Sequence, residues 1–542
     1  MRRRLLIILA LGFLIGIPGL FFALREPEMP ASEILKQART AMQERHFADA
    51  ERLVNSISSA DPYFTDAMLI AGESATRLER LEDAVKYYRT IPIDDSDKSV
   101  LAQFSMANVL IHTGDISSAF ATFERVLKSE PMDVVTHSRV AFLYAASARR
   151  WESRPHLELI LRSGGATVEE LALLADLERP VDEEEYLKKC QQSWPHDLNV
   201  RLGLASIAAQ NGQPAAAVLE LQKIIHEQPE LMAAQALLGE LLASERSIRF
   251  DAWHAELPSD ADQWPDIWYA RGVRAQLLGD QKIAARCFWQ VLRISPIHRR
   301  ANYQLGRILV ELHDANADGF AEQSRQLFSL TQALMHALRS EGRNEVIMQQ
   351  IVQTLDRMGR VWETCAWAQL SRKNFPQSEW PSEFLQRLAP LLNDQLPMVL
   401  ADRNLAMKCD LSSFPEFTEI LSARIPEQST APDSADSTMI EFREESAIGI
   451  DFVYQNAADD STRGSRMQEQ TGGGVTVVDV DQDGWQDLYF VQGAQWPTGS
   501  SVPVLNDRLV DRIYRNRFGW TFQDITTSAG IDEQGFGQSC AA

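Results

Sequence analysis

The chain has 542 residues, 45% of them hydrophobic, and a formal net charge of -22 at pH 7. That length allows several domains, and the apolar fraction is that of an ordinary globular protein. The acidic balance excludes nucleic acid as a partner, because its phosphates would be repelled, and it favours divalent cations. At the N-terminus, Arg2-Arg3-Arg4 precede an uncharged run from Leu5 to Leu24, closed by Arg25-Glu26-Pro27. Residues 5–24 are long enough to cross a hydrocarbon core of ~30 Å as one helix. The run exceeds the ~7–15 residue apolar core of a cleavable signal, and Phe21-Phe22-Ala23-Leu24 is a poor cleavage site. Residues 1–30 therefore read as a retained signal anchor in preference to a removed signal peptide. The leading arginines place the N-terminus in the cytoplasm. The expectation is a single-pass cell-membrane protein whose bulk is extracytoplasmic, periplasmic or at the cell surface.

From residue 31 to about 395 small residues recur with a period near 34. Trp268, Gly272, Ala275, Gly279-Asp280, Ala284, Phe288 and Pro296 make one complete unit. Ala38, Ala50 and Pro62 fit the same frame, as do Gly72, Ala84 and Tyr88. So do Ala107, Gly114-Asp115, Ala119, Phe123 and Pro131, and Ala205, Gly212, Ala217, Leu221 and Pro229. Gly239, Gly306 and Gly359 open weaker copies, while 132–195 is helical in pattern but poorly matched. Small residues let two antiparallel helices approach, large ones fill the space between them, and Gly-Asp makes the turn. This pattern resembles tetratricopeptide (TPR) repeats, roughly eight to ten of them. The resemblance implies an α-α solenoid whose concave face takes a protein partner. The ten histidines, within residues 46–336, and Trp264, Trp268, Trp289, Trp362 and Trp367 read as packing or surface residues. The five cysteines show no zinc or CxxC spacing and read as buried thiols.

Residues 396–438 read as a cap followed by a linker, since 426–437 has no large apolar residue. From 439 the period changes to that of strands, at Ile440–Arg443, Ile448–Tyr454, Val475–Val478, Leu488–Val491, Asp511–Asn516 and Trp520–Thr526. Between two of these lies Asp479-Val480-Asp481-Gln482-Asp483-Gly484-Trp485-Gln486-Asp487. Four carboxylates this close repel one another unless a hard cation is shared. Calcium takes six to eight oxygens, and this spacing wraps one. Asp479, Asp481, Asp483 and Asp487 would give side-chain oxygens, and Trp485 its carbonyl. The loop is not an EF-hand, because position 12 is Phe490 where that motif needs Glu. With Gly472-Gly473-Gly474, Ile513-Tyr514-Arg515-Asn516 and Phe522–Ile531, the segment 439–542 resembles FG-GAP/VCBS repeats of the bacterial group that ends in an ASPIC/UnbV domain. The resemblance implies part of a Ca²⁺-pinned β-propeller blade. A propeller needs about four to eight blades, and one acidic loop precedes Ala542, so the segment reads as truncated.

The fold expected is thus mainly α: one transmembrane helix, a TPR solenoid, and a small all-β segment. The function expected is a membrane-anchored, outward-facing interaction scaffold. Its array would bind protein and its β-module protein or glycan. No GxSxG, HExxH or P-loop is present, so no enzyme is expected. The alternative is a fragment of an exported propeller enzyme acting on polysaccharide or another envelope substrate.

Overall fold

A computed structural model describes residues 29–244, 249–418, 448–455, 473–480, 486–497, 500, 502–504, 506–517, 521–535 and 537. The chain divides into two compact units, Met1–Ile425 and Pro426–Ala542.

The first unit is built from antiparallel helix pairs. Ala31–Gln43 pairs with Phe47–Val54, Phe64–Arg77 with Leu81–Arg89, Asp97–Thr113 with Ile116–Ser129, and Pro265–Leu277 with Gln281–Ile294. The periodic alanines are the reason the helices can meet. Ala38, Ala50, Ala84, Ala107, Ala119, Ala275, Ala284 and Ala368 are all fully buried. Glycine goes further where the second helix brings a ring. A Cβ on Gly72 would lie 2.5 Å from the Tyr88 ring, and one on Gly272 would lie 2.5 Å from the Phe288 ring. The Gly-Asp turns do two jobs. Gly279 takes φ 84° after the first helix, and the Asp280 carboxylate then accepts the Ile283 N–H at 3.0 Å as an N-cap.

The stretch 132–195 obeys the same rules with less regular spacing. Val134–Ala146 and Arg150–Ser163 form a pair, followed by Val168–Ala175, an irregular segment, and Glu184–Ser193. Their packing does not follow chain order. Val181, Leu187, Cys190, Val200 and Ile207 complete the core begun by residues 35–143. Leu157, Ile160, Leu161, Leu171 and Leu174 instead share a core with Leu327, Leu330, Ile351, Trp362 and Trp367. The helix Ala317–Arg339 spans two cores, with Phe320 in one and Leu327–Ala337 in the other. Residues 392–417 lie along both of them. Trp362 donates its indole N–H to the Leu396 carbonyl (3.1 Å), and Trp289 donates to that of Ala406 (2.9 Å). The four cysteines among the described residues are buried free thiols.

The second unit contains an antiparallel meander: β1 (Val475–Val478), β2 (Asp487–Phe490), β3 (Arg512–Asn516) and β4 (Phe522–Asp524), in spatial order β1-β2-β3-β4. Its apolar centre is small: Tyr514 and Ile513 are buried, and Phe490 stacks on Phe452 at 4.9 Å. Val475 and Val477 stay exposed.

Two expectations are corrected. Residues 448–455 form no strand. Gly449 turns into the left-handed region at φ 85°, which breaks the extended run. The Gln492 side chain, rather than a ladder, holds the rest, donating to the Val453 carbonyl and accepting the Gln455 N–H. The second correction concerns the single-pass membrane anchor and the localisation built on it. Residues 5–24 lie outside the described residues, and among the described ones no helix is long and apolar enough to cross a membrane. The longest, Ala317–Arg339, has 23 residues but carries Asp318, Glu322, Arg325 and Arg339. The expected strand at 440–443 and the linker at 426–437 also lie outside the described residues.

Candidate functional site

The first helices of four successive pairs, Leu198–Gln210, Met232–Ala243, Pro265–Leu277 and Arg299–Glu311, contribute residues to one site. Together with residues 148–151 and 177–181 they line an open cavity of about 400 Å³. Ala233, Ala236, Leu237, Leu241 and Trp264 make its apolar wall, and the irregular segment Leu177–Val181 lies along it. Such a mix of apolar wall and few convergent polar groups is the usual make-up of a binding site.

Charge concentrates at one end. Glu178 accepts the main-chain N–H groups of Arg299 and Arg300, the first residues of a helix. A carboxylate is stabilised there by unpaired amides and the helix dipole. The Arg300 guanidinium donates to Glu178 (2.9 Å) and also contacts Glu240, while lying 4.5 Å from the Tyr269 ring centroid. His298 stacks on Tyr269 at 5.3 Å and pairs with Asp266 through Nε2 at 3.2 Å. Its Nδ1 accepts the Ala301 N–H at 3.1 Å and lies 3.4 Å from Glu178. These two roles exclude each other: a protonated Nδ1 cannot cap the helix.

Burial and neighbouring charge act in opposite directions on the ionisable groups of the cluster. Burial would raise the Glu178 carboxyl, but the neighbouring His298 and Arg300 charges hold it below its ordinary value. Burial acts the same way on Asp266, and the His298 hydrogen bond overcomes it. His298 itself is pushed down by burial, yet Glu178 and Asp266 bring it above the usual imidazole value. A lone buried charge would be expensive, and here each carboxylate faces a cation.

At the other end the contacts read main chain. Arg150, buried, donates to the carbonyls of Arg179 and Pro180. The Gln210 carboxamide, oriented to satisfy both partners, donates to the Val181 carbonyl (3.1 Å) and accepts its N–H (3.2 Å).

None of these groups was legible as a site in the sequence. Glu178 and Arg300 stand 122 positions apart. His298 was read, with the other histidines, as a packing or surface residue, and it does pack, but within an ionic cluster. One sequence signal exists: Asp266 and Arg300 each stand second in the first helix of their repeats, six residues before Gly272 and Gly306.

The expected metal loop is described in part. Asp479 follows β1 and Asp487 opens β2, with Val478 and Asp487 opposite each other in the hairpin. Asp481, Asp483 and Trp485 lie outside the described residues. Asp487 is fully buried, and its two oxygens accept the N–H groups of Val480 (2.9 Å) and Asn516 (2.7 Å). It therefore closes the loop and ties β2 to the end of β3, a role missed in the sequence. Each oxygen keeps a further lone pair for a cation. Among the described residues no group of three or more His, Cys, Asp or Glu is placed to hold a metal ion.

Residues 35–99 match the tetratricopeptide repeat family model. No curated protein matches the chain. Among solved structures the chain is similar to a tetratricopeptide repeat protein from Parabacteroides merdae, with 13% identity over 51% of this chain and 97% of that one and a TM-score of 0.21. It is also similar to a chain of the APC/C hetero-tetramer Cut9–Hcn1, with 12% identity over 67% of this chain and 69% of that one and a TM-score of 0.27.

Proposed function

We propose that this tetratricopeptide-repeat chain is a non-catalytic interaction scaffold whose helical array binds a protein partner on its concave face. The observation that carries the reading is the pair of main-chain-directed side chains on that face, Arg150 and Gln210. An enzyme site would aim its polar groups at a reacting atom; these aim at peptide groups. Tyr303 sits exposed on one first helix, and Leu219 sits exposed on a second helix. A photo-crosslinking residue at 303 should trap a discrete protein adduct in the source cells, and one at 219 should not. Equal labelling at both, or none at 303, would reject the reading.

For the second unit the proposal is a Ca²⁺ site formed by Asp479, Asp481, Asp483, the Trp485 carbonyl and Asp487, within an FG-GAP/VCBS-like module that binds protein or glycan. Support comes from the hairpin register, which brings Asp479 and Asp487 to one end of β1 and β2. Millimolar calcium, but not magnesium, should slow amide exchange in β1 and β2 of the full chain. Identical exchange with either ion removes the metal from the account.

A further inference from the structure

We propose that residues 177–181 are a built-in ligand of the concave groove, and that the groove's partner is an extended peptide of the same chemistry: Glu-x-Pro followed by an apolar residue. The inference rests on the scaffold reading and specifies what that surface recognises. The segment Leu177-Glu178-Arg179-Pro180-Val181 runs between helices Val168–Ala175 and Glu184–Ser193 without regular structure. A connection of this kind normally turns on the surface. This one lines the cavity, with Leu177, Glu178 and Arg179 half-buried, Pro180 exposed and Val181 buried, and is gripped at successive residues. The Glu178 carboxylate sits on the Arg299–Arg300 amides and the Arg300 guanidinium. The Arg179 and Pro180 carbonyls take the Arg150 guanidinium. The Val181 peptide unit meets the Gln210 carboxamide.

These contacts divide into two kinds. Those of Arg150 and Gln210 read carbonyls and an amide, which any extended peptide offers. Only the Glu178 pocket discriminates by side chain, while the exposed Pro180 contributes through its ring, which holds φ near an extended value. A carboxylate two positions before a proline is therefore the feature that specifies an occupant. A segment tethered at both ends is present at an effective concentration of about millimolar. A free peptide with equal contacts competes poorly against it, so partner binding is gated by release of the internal segment.

The test uses the full chain and a fluorescent nine-residue peptide of residues 175–183 as probe. Wild type should bind it weakly. Glu178→Ala weakens the internal copy but leaves the groove intact, so probe affinity should rise roughly tenfold or more. Glu178→Gln, which keeps the shape and loses the charge, should give a smaller rise and covers the case in which the alanine variant folds poorly. Adding Arg300→Ala to Glu178→Ala should abolish the gain. If neither Glu178 variant binds the probe better than wild type while melting cooperatively, the segment is only structural filling and the inference fails. That outcome leaves the scaffold reading intact wherever the adduct at position 303 still forms. Conversely, probe binding without that adduct would uphold the groove's specificity and remove the partner reading.

Discussion

The helical unit and the β unit hold themselves together by different means. In the helical unit a small residue faces a large ring, Gly72 under Tyr88 and Gly272 under Phe288, and the device repeats along the chain. Most helix pairs lean on their chain neighbours, and residues 157–175 lean on 327–388, so damage stays local to a core and stability is close to a sum of parts. In the β unit the apolar centre is thin, and buried carboxylates secure the main chain. Asp487 holds the amides of Val480 and Asn516, and Asp511 holds the Gln492 N–H (2.7 Å) and the Tyr489 hydroxyl (2.8 Å). A polar tie of this sort is stabilising when complete and costly when half made. Repetition tolerates single losses that a small polar lattice does not.

That contrast can be tested in order of expected effect. Phe288→Ala removes a fully buried ring from the Gly272 contact and should cost about 3–5 kcal/mol within its repeats. Amide exchange should quicken in helices Pro265–Leu277 and Gln281–Ile294 and stay unchanged in β1–β4. Spread of the effect to every helix pair would argue against locality. Asp487→Ala orphans the buried Asn516 donor and the partly exposed Val480 donor and should cost about 2–4 kcal/mol, seen as faster exchange through all four strands. Asp487→Asn, which keeps one carbonyl acceptor, should fall between. If only the Val480 amide responded, the β unit would be as modular as the array.

Acidification should separate the units as well. His156 and His254 are both pushed down to about 4, by burial first, then by His137 and Arg271 respectively. The unfolded chain takes those protons near pH 6.5 and the folded chain only near 4. Stability from these groups is therefore complete above about 6.5 and is lost as pH falls toward 4. His298, whose value is raised, works oppositely: its contribution is full in acid and is lost as pH rises through its folded value. After discounting for partial exposure, each depressed histidine should contribute about 1 kcal/mol to the acid loss. His156→Asn should flatten the fall in urea midpoint of the helical unit between pH 6.5 and 4. An unchanged slope would locate the acid sensitivity elsewhere. The smallest effect belongs to Gly279→Ala. Its φ is 84° and an added Cβ would touch nothing within 4 Å, so only backbone strain of about 1 kcal/mol is expected. A larger drop in melting temperature than that implies would mean the turn carries packing as well.

Sequence reading succeeded where structure is local and periodic. The alanines of the repeat, the Gly279-Asp280 turn and the pairing of Val475–Val478 with the strand after the acidic loop follow from spacing and turn chemistry. It failed where partners are distant. Ile448–Tyr454 alternates as a strand does, but Gly449 and the Gln492 side chain decided against one. The main-chain tie made by Asp487 went unread, because the position of the Asn516 amide cannot be inferred from a hairpin motif.

The repeat period, the small-against-large complementarity and the acidic loop are properties of the amino-acid order itself, since they depend on neighbours within one or two turns of chain. The route by which residues 134–175 leave the row to meet 327–388, and the placing of Glu178 on the Arg299 helix start, belong to the tertiary structure. Both need helices from distant repeats to converge, and that convergence depends on how small angular offsets between successive pairs accumulate along the array.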